Sequence, residues 1–367
     1  MIYTKKQLLE FKTNLVQELK QAQANQKNSI LYAKNTLLKT SFAKDGDKYQ
    51  VVMIGGTYLE SAIVSSVDGL IKIHQITEES LPKLSSKEIV SQIFLKHLNP
   101  DVKTVSINFA YPIKPVIRDQ KLDGILVRTP KEHPFEGLLN QKIGQFFELE
   151  SAKNGQKIDV LVCNDTTALG LASIGFDLDY TSNEVMVGVI GTGFNFGIFE
   201  NDNLFVNLEL GNFDKFTQTQ PGKLIDLSSQ NVGQNKFEKE VGGAYLCHHF
   251  NYYSKKEGYN LECQTTEELS QVARKTSEVG RLASQVFEKS AQLVALAMTS
   301  IYQFKNPKSG KMLSLLEGGL YWKGVNFIQF VDKWMSELMQ DKSSVQINSI
   351  DRIGIVGGAK LVRRLKD

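Results

Sequence analysis

Cysteine is scarce: Cys163, Cys247 and Cys263 are the only three in 367 residues. Three cannot build a disulfide framework, and an odd number suits a reducing compartment, so a cytoplasmic protein is expected. Long apolar runs are missing too. No stretch approaches the roughly eighteen apolar residues of a membrane span. The start, Met1-Ile2-Tyr3-Thr4-Lys5-Lys6, does not lead into a run of signal-peptide length. Neither sign of charge dominates, because 43 basic residues against 40 acidic ones leave a net charge of +3. That balance offers no argument for nucleic acid or a membrane as partner. Solenoid repeats and low-complexity segments are absent. Cys247-His248-His249 lies in a helical pattern where neighbours face different ways, and no second ligand pair has suitable spacing, so no metal site is expected.

What is present is an ordinary apolar fraction of 41%, enough for two domains with substantial cores. Its most informative stretch is Cys163-Asn164-Asp165-Thr166-Thr167. It joins the apolar strand Ile158-Asp159-Val160-Leu161-Val162 to a helix that reads Ala168-Leu169-Gly170-Leu171-Ala172-Ser173. A carboxylate at such a strand end projects into the crevice where open α/β sheets bind ligands, so Asp165 could act as a base on a bound alcohol. Asn and Asp are also favoured helix caps, and that simpler role stays open.

Two glycine turns accompany it. Val185 to Ile190 runs into Gly191-Thr192-Gly193 and then a second strand, and Val51 to Ile54 runs into Gly55-Gly56-Thr57 in the same way. Backbone amides in such turns form concave nests for phosphate oxygens, although glycines also make hairpins for structural reasons alone. Neither turn is a dinucleotide fingerprint, and there is no lysine-bearing P-loop.

The 3.6-residue spacing of Leu8, Phe11, Leu15 and Leu19 predicts an amphipathic helix over 5–24. The turn signal Lys44-Asp45-Gly46-Asp47-Lys48 predicts a boundary near 48. Strands then alternate with helices to about 190, including a helix opened by a Ser85-Ser86-Lys87-Glu88 capping box and a strand over Thr104–Phe109, which is α/β architecture. A strand near Phe205–Leu210 and long helices over Glu238–Phe250 and Thr266–Phe304 follow, with Val286, Leu293, Leu296 and Met298 as a buried face. The end pairs a strand at Met312–Leu316 with a helix around Phe327–Met339, then a strand Ile353-Gly354-Ile355 and a helix from Gly358. The twice-used strand, glycine turn, strand unit hints at duplicated lobes.

With both glycine turns and the Asn164-Asp165 pair in this order, the chain resembles the eukaryotic-type hexokinases of the actin-like ATPase superfamily. Leu38-Lys39-Thr40 through Thr57 is similar to the family's entry segment. Phe109-Ala110-Tyr111-Pro112 and Gly124 through Lys131 are similar to its two sugar segments, Val206 through Phe213 to its Glu-Trp-Gly-Ala-Phe, and Phe237 through Leu246 to its Tyr-Glu-Lys block. The resemblance implies an α/β, two-lobed actin-like ATPase (ribonuclease H-like) fold with an interlobe cleft. It implies a helical lead-in over 1–47, a small lobe over 48–190, a large lobe over 191–356 and a terminal helix over 357–367 returning to the small lobe.

By resemblance, Asp165 is the base for the 6-hydroxyl of a hexose such as glucose, and Asn164, Asn195, Glu209, Glu238 and Lys131 bind other hydroxyls, with Pro130 where a threonine is usual. Gly55, Gly56, Thr57, Gly191, Thr192 and Gly193 would hold the phosphates of ATP. Gly318, Gly319 and Gly358 would border its adenosine, with Mg2+ as cofactor. Met53 stands where the family has the Asp that helps hold magnesium, Glu60 replaces an arginine, and Ala110 replaces a serine. These departures keep two alternatives open: a catalytically weakened sugar-binding or regulatory protein, and a kinase of an amino sugar or polyol. Oligomeric state is not readable.

Overall fold

The computed structural model describes residues 2–37, 40–55, 58–82, 84–127, 137–177, 179–339, 341 and 344–363. In chain order the first elements are α1 (Lys5–Gln23), β1 (Ala33–Thr36), β2 (Lys48–Ile54), β3 (Tyr58–Val67), β4 (Leu70–Ser80), α2 (Lys87–His97), β5 (Thr104–Phe109), β6 (Ile113–Arg118) and β7 (Lys121–Leu126). Then come α3 (Ile143–Lys153), β8 (Asp159–Cys163), α4 (Asp165–Ser173), β9 (Val185–Ile190), β10 (Phe194–Asn201), β11 (Leu204–Asn207), α5 (Gln220–Ser228), α6 (Lys236–Val241) and α7 (Gly243–Lys256). The rest are α8 (Thr266–Ala273), α9 (Glu278–Lys305), β12 (Met312–Glu317), α10 (Gly319–Lys323), α11 (Phe327–Leu338), β13 (Val345–Asn348) and α12 (Ile353–Val362). Among the described residues no helix is long and apolar enough to cross a membrane.

Two compact units emerge. A sheet-rich unit holds Ala33–Ser182, Phe199–Val206 and Ile350–Asp367; a helix-rich unit holds Met1–Tyr32, Asn183–Ile198 and Asn207–Ser349. The division is not linear. Residues 1–47, read from sequence as one lead-in, are shared between the units, because α1 buries Leu8, Phe11, Leu15 and Leu19 within the helix-rich one.

In the sheet-rich unit five strands run in the order β4-β3-β2-β5-β8. β2, β5 and β8 are parallel, and β3 and β4 are antiparallel additions. Period-2 alternation serves two cores, as expected of strands covered on both faces. Val52, Ile54, Val160 and Val162 pack with Phe94 and Phe147, while Val51, Val64 and Leu161 pack with Ile355, Ala359 and Val362. In the helix-rich unit β9 pairs antiparallel with β10 and parallel with β12, which pairs parallel with β13. The 28-residue α9 is buried continuously from Lys289 to Ile301.

Several sequence expectations are corrected. Ile353-Gly354-Ile355 is the first turn of α12, not a strand. The small residues explain it: methyl groups at Gly354 and Gly357 would collide with the Met53 side chain and with the Ala168 backbone, so α12 lies directly on β2 and α4. α2 has an ordinary cap, with Ser86 accepting from the Ile89 amide; the reciprocal capping box sits instead on α1, between Thr4 and Gln7. The helical pattern over 238–250 breaks at Gly242, and that over 266–304 breaks before Ser277 caps α9. The strand expected over 205–210 ends at Asn207, because Glu209 takes a left-handed conformation (φ +51°) ahead of a single turn of 3-10 helix.

Candidate active site

In the sheet-rich unit the parallel strands deliver their C-terminal ends side by side. Ile54 pairs with Phe109, and Asn108 pairs with Cys163. At about 4.8 Å per strand, Gly55 and Asn164 leave the sheet roughly 10 Å apart. Tyr111, just after β5, donates its hydroxyl to the Gly55 carbonyl (2.7 Å) and steadies the first glycine turn. Gly56 and Thr57 of that turn lie outside the described residues, as do Pro130 and Lys131.

The capping role expected of the Asn164-Asp165 pair falls to its first member. Asn164 is the N-cap of α4, its oxygen accepting from the Thr166 amide at 3.0 Å. Asp165 is therefore free of the capping position and opens the helix. Its Oδ1 accepts from the Thr166 amide (2.6 Å) and hydroxyl (3.2 Å). Burial lifts its carboxyl above the usual range, against the pull of the Thr166 and Asn164 hydrogen bonds. A half-buried carboxylate of raised basicity at a helix N-terminus is suited to accepting a proton.

The departures from the resemblance also find places here. Met53 pairs with Asn108 on one side and Glu60 on the other, and its thioether lies against Gly354. Glu60 does not stand as a bare acid: Arg352, in left-handed conformation before α12, donates to it at 2.9 Å. Burial raises the Glu60 carboxyl, and Arg352 opposes that shift. Gly358 lies buried in α12, with Val51 and Ser106 against it.

The helix-rich unit gathers the remaining residues. Asn195 donates to Asn207 Oδ1 (2.6 Å), and Asn207 donates to Glu209 Oε1 (2.9 Å). Asn195 Oδ1 accepts from the Phe196 and Leu210 amides, which fixes the amide's orientation. Glu238 accepts from the Phe194 amide (3.2 Å) and from Asn235 (3.3 Å). Asn195, Glu209 and Glu238 are thus two carboxylates and an amide, half-buried at the exit of the second glycine turn. Asn207 is the member that sequence reading did not single out. Its one signal in the sequence was its place two residues before Glu209.

The second turn is clasped by its surroundings. The Gly243 and Ala244 amides, opening α7, donate to the carbonyls of Gly191 (2.8 Å) and Thr192 (3.1 Å). Gly191 approaches Gly318, whose φ of +117° and contact with the Ile190 carbonyl admit no side chain. Gly319 beside it faces open space. Gly191, Gly318 and Gly319 therefore form one glycine-lined surface, and Gly193 of the same turn lies against the Glu238 carboxylate. The His249 Nε2 donates to the Lys239 carbonyl, and among the described residues no group of three or more His, Cys, Asp or Glu could hold a metal.

No family model matches the chain, and no curated protein sequence matches it. Solved structures do. A hexokinase from Schistosoma mansoni, described as a glucose complex, shares 18% identity over 98% of this chain and 95% of its own, with a TM-score of 0.80. A ROK-family glucokinase from Streptomyces griseus, in complex with glucose and AMPPNP, shares 18% identity over 87% of this chain and 100% of its own, with a TM-score of 0.61. A ROK-family transcriptional regulator described as a homologue of an Escherichia coli protein shares 15% identity over 87% of this chain and 78% of its own, also at 0.61. The chain has the two-lobed actin-like ATPase fold. Hexokinases and ROK-family proteins alike have it, so the fold does not single out the eukaryotic-type hexokinases.

Proposed function

We propose that the chain is an ATP-dependent sugar kinase that transfers phosphate to the 6-hydroxyl of a hexose, glucose first among candidates. Asp165 carries the reading. It sits at the C-terminal end of a parallel strand, opens a helix, and has its carboxyl raised by burial. Support comes from the fold, which extends over 98% of the chain in the likeness to a hexokinase.

Asp165 accepts the proton of the attacking hydroxyl as the new bond forms. Asn164 holds the strand-to-helix junction that aims it. Asn195, Glu209 and Glu238, joined by Asn207, supply the donors and acceptors that a sugar's hydroxyls require when they leave water, and Lys131 with its neighbour Pro130 would add to them. The glycine surface of the helix-rich unit suits a phosphate chain with its adenosine, because Gly318 packs without a side chain on the Ile190 carbonyl and Gly319 beside it faces open space. Gly55, Gly56 and Thr57 would complete the phosphate contacts. ATP would supply the phosphoryl group, ADP leaving as the new ester bond forms, and a magnesium ion would supply positive charge against that developing on the phosphates; Met53 would offer it no carboxylate.

A second reading, a sugar-binding or regulatory protein of weakened catalysis, is favoured by Met53 and by the Glu60–Arg352 pair beside the first turn. A coupled ADP-release assay over glucose, mannose, fructose and glucosamine, run with titration calorimetry for each sugar, tests both readings. Turnover that Asp165→Asn abolishes is expected. Binding without turnover sustains the second reading, and neither binding nor turnover overturns both.

A further inference from the structure

Glu238 sits on α6, a helix of six residues, far too short to be stable by itself. Its last carbonyls lack partners within the helix. Each is met by a different group: the Gly242 amide donates to the Glu238 carbonyl (2.7 Å), His249 Nε2 to Lys239 (2.9 Å), Lys289 Nζ to Glu240 (2.6 Å) and Ser290 Oγ to Val241 (2.7 Å). The side chains next to Glu238 are equally fixed. Phe237 packs among Phe194, Phe213 and Phe216. The Lys239 ammonium donates to Asp226 (2.6 Å), Ser229 and two loop carbonyls. Glu240 accepts from the Thr219 amide and hydroxyl and from Lys289 Nζ (2.7 Å). Glu238 itself reaches the second glycine turn, its carboxylate lying against Gly193 and accepting from the Phe194 amide.

The Lys289–Glu240 pair is fully buried. Burial works against both charges; Lys289 and His249 more than offset it at Glu240, whose carboxyl falls below its ordinary range, while the Lys289 ammonium still falls below its own. Stability alone does not call for such a pair, since well-packed apolar residues serve as well or better. An apolar pair could not donate to the Glu240 carbonyl, and that bond orients α6. We propose that Lys289 is a positioning residue for Glu238, and that Lys289, His249 and Ser290 together form a collar that sets this carboxylate's height against the second turn. The kinetic consequence rests on the hexose reading above; the geometric one does not.

The double variant Glu240→Gln/Lys289→Met removes both charges together and keeps an acceptor for Thr219. Its hexose KM should rise about tenfold, the scale of a hydrogen bond to a charged group, while kcat and the KM for ATP stay within about twofold. Lys289→Arg, which keeps the donor, should stay near the wild-type hexose KM. In the absence of sugar, the Phe194 amide, which donates to Glu238, should exchange its hydrogen faster in the double variant. Unchanged Phe194 exchange together with unchanged hexose KM overturns the proposal. Faster exchange in a protein whose wild type binds no hexose upholds the collar and sinks the hexose reading instead. If the double variant does not fold, Ser290→Ala decides by the same two readouts: a smaller shift in the same direction supports the collar, and no shift overturns it.

Discussion

The two glycine turns are built alike and supported differently. Each joins antiparallel strands, β2 to β3 and β9 to β10, at the edge where parallel neighbours also end. Around the second turn the supports are mostly backbone: α7 amides and the bare surface of Gly318, with one side chain, the Glu238 carboxylate, accepting from the Phe194 amide. Around the first, backbone bonds from Gly55 to Tyr58 and from Ala110 to Ile54 are joined by more side chains: Tyr111 on Gly55, Met53 on Gly354, and Glu60 with Arg352. Backbone support leaves a bare surface and little freedom to drift in chemistry. Side-chain support can be rewritten by substitution, and Met53 and Glu60 are the places where this chain departs from the hexokinase pattern.

Four substitutions probe that contrast, ordered by expected size. Asp165→Asn should lower kcat by about 10² to 10⁴, the range for a lost general base, and leave hexose affinity within about tenfold. Its effect on stability should have a definite sign. The folded protein holds the Asp165 proton more tightly than the unfolded chain, so the residue's contribution is complete in acid and is lost as pH rises through the raised folded pKa. The Asn variant should therefore gain in Tm over wild type at neutral pH and lose that gain in acid, as melting curves across pH will show. In wild type the acid limb of kcat/KM should lie above the ordinary Asp range.

Asn207→Ala cuts the link between Asn195 and Glu209. Stranding half-buried polar groups costs on the order of 1–3 kcal/mol, so hexose KM should rise by about tenfold with kcat nearly unchanged. An unaltered KM would remove these residues from the sugar's surroundings. Met53→Asp should reduce the magnesium concentration needed for half-maximal rate several-fold, if the first turn serves the metal; a flat magnesium response would show that its rewritten side chains no longer do. Arg352→Ala should be the mildest, costing about 0–1 kcal/mol in urea melts because the pair is exposed, and the loss should shrink in high salt.

Much of this was legible along the chain. The apolar runs Val51–Ile54 and Val160–Val162 announced strands, and the strand-to-helix junction marked Asp165. The misreadings share a cause. Ile353-Gly354-Ile355 carries β-branched residues and looks like a strand, yet Gly354 faces Met53, at the other end of the chain, and Gly357 just beyond faces Ala168. The break at Gly242 was hidden because the helical period continues through it. Asn207 went unremarked because an asparagine on a strand becomes informative only when Asn195 and Glu209 lie on either side of it.

Local pattern by itself determined the elements, the two turns and the position of the acid at 165, because period, capping and turn chemistry act over a few residues. Tertiary structure alone decided that α1 joins the helix-rich unit, that α12 is a helix pressed on β2, and that the six residues of α6 hold a fixed carboxylate. Those outcomes depend on which buried donors meet which carbonyls, and on how closely two backbones can approach. Such contacts join residues distant in the chain, and no short-range signal encodes them.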